Sequence, residues 1–162
     1  MSMSADELTH IDSGGRLRMV DVSGKEPTWR EARAEAFVSL AQETLARICS
    51  GDIRKGNVFE AARLAGIMAA KRTWELIPLC HPLQLSAIAV DFFPDPAKSE
   101  IRISASVKTN DRTGVEMEAL VAVTHAALTI YDMCKAIDRG MTIRETRLTF
   151  KSGGKSGVFE RE

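Results

Sequence analysis

From Glu31 the chain alternates strictly between charged residues and alanine, Glu31-Ala32-Arg33-Ala34-Glu35-Ala36, and the inward period continues to Val38. A period of two puts every second side chain on one face of an extended strand, so this stretch predicts a half-buried β-strand despite alanine's preference for helix. Whatever follows must cover that alanine face.

The covering elements are marked by their ends. Ser39 and Gln42 have the spacing of a capping box and predict a helix through Leu45 and Ile48 that Gly51 stops. Asn57 and Glu60 repeat the signal for a helix from Val58 to Lys71, with Leu64, Ala65, Ile67 and Met68 as its apolar face. Pro78 and Pro82 exclude regular helix between them. Leu85–Phe93 and Glu100–Lys108 then read as strands of a hairpin around Pro94-Asp95-Pro96. Thr113 and Glu116 form a third capping box, opening the longest helix, to about Arg139, with Gly140 as its stop; Met141–Phe150 reads as a closing strand.

The order βα(α)ββαβ is that of an α+β, ferredoxin-like split βαβ fold: an antiparallel sheet with helices packed on one face. Its other face needs cover. Ile88, Val90, Ile101, Ile103 and Val107 are apolar enough to predict that a neighbouring subunit supplies it. Residues 1–18, without a sustained period, are expected to be a flexible arm, 19–158 a single domain, and 159–162 a C-terminal tail.

Charge and cysteine usage narrow the function classes. Twenty-two basic residues balance twenty-two acidic ones, so no global field draws the chain to nucleic acid or anionic lipid. RNA binding on the sheet is further disfavoured by a shortage of aromatic stacking residues. Cys49, Cys80 and Cys134 form no CxxC pair and are odd in number, which predicts reduced thiols and a cytoplasmic setting. The most apolar run, Ala119–Ile130, is broken by Thr124 and His125, and the first 13 residues lack a signal-peptide core; a soluble, unexported protein is expected.

Five segments could carry chemistry. Lys55 precedes a helix N-terminus, the wrong sign for stabilising that end; it is either a solvated loop residue or a partner for an anion bound there. In Ile77-Pro78-Leu79-Cys80-His81-Pro82 the prolines stiffen the loop that presents His81, as a proton carrier, as a hydrogen-bond donor to phosphate, or as a structural residue. Cys80 beside it lacks zinc-site spacing and reads as a small buried thiol. In Thr113-Gly114-Val115-Glu116-Met117-Glu118 the cap accounts for Glu116, whereas Glu118 keeps the freedom to bond a guanine-like edge. Met117 lines either a pocket or the core.

Asp132 and Lys135 stand at i and i+3, with Arg139 extending the stripe: an exposed ion pair, or an acid/base pair if the stripe faces a cleft. Lys151-Ser152-Gly153-Gly154-Lys155-Ser156-Gly157 is not a P-loop, because Thr149 stands where the leading glycine belongs and no helix can follow. It remains a glycine-rich tail able to wrap phosphate, or a loose end.

Taken together, Leu64–Thr73, Ile77–Leu83, Thr113–Leu120, Leu128–Lys135 and Lys151–Gly157 resemble, in order and spacing across residues 8 to 158, the MoaC family of molybdenum cofactor biosynthesis. The turn Thr109-Asn110-Asp111-Arg112 is less compact than the family's. The resemblance implies a lyase that converts 3′,8-cyclo-7,8-dihydro-GTP to cyclic pyranopterin monophosphate and pyrophosphate. Asp132 is then the acid/base residue, with Lys55 and Lys135 its cationic partners. Leu79, Cys80, His81, Met117 and Glu118, with Glu116 beside them, would contact substrate, and Arg30, Lys71, Lys151 and Lys155 would meet phosphates. It further implies a homohexamer, a trimer of dimers with interfacial active sites, and no required cofactor or protein-bound metal, though Mg²⁺ could accompany the triphosphate. The competing class is a ligand-sensing module in which the same cations only hold an anion.

Overall fold

The computed structural model describes residues 10–12 and 14–162; the arm expected over 1–18 falls in part on residues 1–9 and 13, outside that range. The elements run β1 (Thr28–Ser39), α1 (Gln42–Ser50), α2 (Val58–Ala70), α3 (Thr73–Leu76), β2 (Leu85–Asp95), β3 (Glu100–Asp111), α4 (Glu116–Cys134), β4 (Thr142–Ser152) and β5 (Phe159–Glu160). The strands form one antiparallel sheet in the order β2-β3-β1-β4-β5, with helices on one face. This is the ferredoxin-like α+β arrangement.

The alternation in β1 does what its period requires. Ala32, Ala34, Ala36 and Val38 are fully buried, paired across β3 with Val107, Ala105, Ile103 and Ile101. Ala119, Ala122, Ala126 and Ala127 of α4 are buried in the same core. Methyl-sized side chains on both sides let the helix lie close to the sheet, and that packing overrides alanine's local preference. Ile101, Ile103, Val107 and Val90 belong to this helix-covered face, and Ile88 packs partly against it, so they are not the uncovered surface the sequence suggested. An apolar strand position does not announce which face it will join.

The other sheet face is charged and paired within the chain. Arg147 grips Glu35 at 2.7 and 2.8 Å, and Glu31 takes Arg33 at 2.7 Å and Lys108 at 3.6 Å. Contrary to the expectation of few strand aromatics, Phe37, Phe93 and Phe150 also lie here, under the guanidinium groups of Arg147, Arg102 and Arg33. One face of each ring is thereby covered by a guanidinium.

Helix ends follow tertiary context. Asn57 caps α2 as expected, its side-chain oxygen accepting from the Glu60 amide at 3.1 Å. Gly51 ends α1 in the left-handed region at φ 76°. The other two capping boxes do not form. Ser39 is held in β1 between Glu100 and Thr142, so Ala41 starts α1, its amide donating to Asp138 Oδ2 at 2.8 Å. Val115 precedes α4, and Glu116 turns to Lys151 instead of Thr113.

α4 ends at Cys134, so Arg139 lies beyond the helix rather than on a continued stripe. The buried side of α2 is Val58, Ala62, Gly66, Ala69 and Ala70, while Leu64 and Met68 are exposed. Gly66 explains that choice: a Cβ there would sit 2.8 Å from the Ala122 carbonyl oxygen, so the face that meets α4 must be the small one. The expected tail over 159–162 contributes β5, two residues paired with Phe150 and Lys151.

Candidate active site

One end of α4 carries a carboxylate held by two lysines. Asp132 sits on its last turn and Lys135 at its C-cap, and the loop ahead of α2 brings Lys55 alongside. Lys135 Nζ lies 2.7 Å from Asp132 Oδ1. Lys55 Nζ donates to the Asp132 backbone carbonyl at 2.8 Å and lies 3.3 Å from Oδ2. Both lysines hold the Asp132 carboxyl below its ordinary range, Lys135 most strongly, and the carboxylate in turn raises Lys135. Lys55, just ahead of α2, is thus engaged by the Asp132 carboxylate. All three side chains are roughly half exposed, so the cluster opens to its surroundings.

The other end of α4 borders a cavity of about 310 Å³. Leu79, Cys80 and His81 come from the proline-framed loop, Glu116, Met117 and Glu118 from the first turn of the helix, and His10, Val20, Val22 and Lys25 from the chain before β1. Glu118 is only 4% exposed. Burial pushes its carboxyl up to about 7, with a further push from the Glu116 charge, against the lowering effect of its own backbone amide. Burial and Glu118 together raise the Cys80 thiol, which keeps it neutral. His81 Nε2–H donates to the Val20 carbonyl at 2.8 Å. A carbonyl only accepts, so Nδ1 of the neutral ring is left as the acceptor.

A second cavity, of about 690 Å³, adjoins the first through shared Lys25, Thr113, Gly114 and Glu116. Lys25, Arg30, Arg112, Lys151 and Lys155 line it, against the carboxylates Glu26 and Glu116. Glu116 accepts from Lys151 at 2.9 Å. Arg30 donates to the carbonyls of Asp111 and Arg112, both at 3.3 Å, and packs against Gly154. Gly153 and Gly154 have φ of 95° and 73° and lie where a side chain would overlap Trp29 and Arg30. The glycine-rich tail is thus folded onto β1.

The expected site residues therefore fall into separate groups. Lys55, Asp132 and Lys135 meet at one end of α4; Leu79, Cys80, His81, Glu116, Met117 and Glu118 meet at the other, next to Arg30, Lys151 and Lys155. Along the axis, Glu118 and Asp132 are about 21 Å apart at about 1.5 Å per residue. Lys71, exposed at the end of α2, lines neither cavity. The sequence reading missed Lys25 and Arg112. Neither lies on an element with a recognisable period, and only the folded chain brings them to the tail.

Comparison with known proteins places the sequence in a family. Residues 19–154 match the MoaC family. The chain is 63% identical over 155 residues to a cyclic pyranopterin monophosphate synthase of Pelotomaculum thermopropionicum, covering 96% of this chain and 91% of that protein. Proteins of the same name from Methylobacterium nodulans and Desulforapulum autotrophicum are 61% and 57% identical, covering 96% and 94% of this chain and 97% and 94% of theirs. With a family match over most of its length and relatives at this identity, the chain belongs to the MoaC family.

Proposed function

We propose that the chain is a cyclic pyranopterin monophosphate synthase, a lyase acting on 3′,8-cyclo-7,8-dihydro-GTP. The observation that carries this reading is the pairing of a cation-lined cavity with a smaller pocket holding an acid, a histidine and a thiol, the layout a nucleoside triphosphate requires. The names borne by relatives at 57–63% identity support it.

The two helix-end clusters belong to one site only if a second copy completes it. Asp132, Lys55 and Lys135 of one subunit would face the His81–Glu118 pocket of another, the arrangement a dimer within a hexamer supplies. There Asp132, held ionised, accepts a proton, while Lys135 or Lys55 donates one. Rebuilding the purine into a pterin needs several such transfers and no net redox change. Ring closure forms a bond from a sugar hydroxyl oxygen to the α-phosphorus and breaks the bond between that phosphorus and the oxygen bridging to the β-phosphate. Pyrophosphate leaves with the electron pair, and the hydroxyl proton passes to the base. Arg30, Lys151 and Lys155 offset the phosphate charge. Glu116 is already engaged by Lys151, so any Mg²⁺ would enter as part of the substrate.

The test is incubation of the purified protein with the cyclic dihydro-GTP. Pyrophosphate and the cyclic pterin are expected in equal amounts, and the appearance of neither means the site only senses its ligand.

A further inference from the structure

The chain before β1 reaches both cavities. Lys25 is on the wall of each, and Val20, five residues earlier, accepts the His81 Nε2–H at 2.8 Å. Between them the backbone is folded by its own turns: the Ser23 amide donates to Asp21 Oδ1 at 2.9 Å and the Lys25 amide to the Val22 carbonyl at 3.0 Å. These turns fold the residues between Val20 and Lys25 onto themselves, so the two ends are joined by a short hydrogen-bonded segment. Lys25 and Arg112 pair with no carboxylate among the described residues, unlike Lys151 beside them. An ammonium at the junction of two cavities, exposed and without a partner, suits an anion that spans both.

We propose that residues 20–26 are a strap coupling the two cavities: Lys25 binds the phosphate chain of the substrate, and the strap it anchors holds His81 in the tautomer that leaves Nδ1 as proton acceptor. The inference rests on the phosphate-bearing substrate proposed above and adds a residue and a coupling to it. Lys25 is a binding residue here, and Val20 a positioning one. With the larger cavity empty of phosphate, the strap is held at its Val20 end by His81 and at its other end by β1. With phosphate on Lys25 it is held at a third point, and the Val20 carbonyl is fixed more firmly against the ring.

The experiment uses the intact assembled protein and inorganic tripolyphosphate as probe. Lys25→Ala should weaken tripolyphosphate binding about tenfold, the loss of one charge-assisted contact, and Lys25→Arg should restore it. Lys98→Ala, on the distant hairpin turn, should bind as the wild type does. The His81 ring nitrogens, read by ¹⁵N NMR and assigned with a His81→Gln variant among the three histidines, should shift toward the Nε2–H tautomer when tripolyphosphate is added to wild type, and should not respond in Lys25→Ala. Unchanged affinity in Lys25→Ala, or ring shifts in wild type indifferent to tripolyphosphate, overturns the strap. With the cyclic dihydro-GTP, Lys25→Ala should raise KM and lower kcat; a wild type that releases no pyrophosphate defeats the functional reading, and the tripolyphosphate measurements still decide the strap.

Discussion

Glu118 shows how one buried carboxyl ties the proposed site to the stability of the chain. Its folded pKa of about 7 lies above the ordinary 4.5, so between these values the folded chain binds a proton that the unfolded chain releases. Stability therefore falls as pH rises from about 4.5 through 7 and levels off above it, by about 3 kcal/mol in all. Glu118→Gln should remove that decline: thermal unfolding at pH 8 should show the variant more stable than wild type, with the difference closing near pH 5. Asp132 is perturbed the other way by its lysines, and Asp132→Asn should keep the fold and substrate binding while lowering kcat by about 10²-fold to 10⁴-fold, measured as pyrophosphate release. Both residues were legible as candidates because each stood in a compact motif. Glu116 was not read correctly, since its local spacing suited a cap and nothing nearby in sequence pointed to Lys151, 35 residues away.

Among the elements, the α2–α4 contact rests on Gly66. Gly66→Ala places a methyl group 2.8 Å from the Ala122 carbonyl oxygen, so the helices must separate, and a loss of about 1–3 kcal/mol is expected from the midpoint of urea unfolding. Asn57→Ala should cost about 1 kcal/mol in the same assay through loss of the α2 cap. Strand β1, the Asn57 cap and the order of elements could be read from periodicity and end signals because those are local. The buried face of α2 could not: hydrophobicity favours Leu64 and Met68, but the distance of approach to α4 selects glycine and alanine. Likewise the Ser39 signal lost to strand pairing, and β5 is two residues long, too short for any period to register.

For the whole molecule, residue motifs supplied the candidates for the proposed site but not their distribution to opposite ends of a helix. That distribution makes a prediction about mixtures. Asp132→Asn and His81→Ala should each be inactive alone. When unfolded together and reassembled, half of random pairs combine one of each, and one of their two sites is intact, so about a quarter of wild-type activity should return. If each chain completed its own site, mixing would restore nothing.

Because α4 is a single unbroken rod between Glu118 and Asp132, it also sets a spacing and a phase that a second copy completing the proposed site must match. One extra residue inserted in its middle would rotate the far end by about 100° and lengthen it by about 1.5 Å, turning Asp132 away from its lysine on α2's loop. Length variation in relatives that keep this chemistry should therefore gather in the 96–99 turn and at the chain ends, and spare the stretch from Glu116 to Cys134.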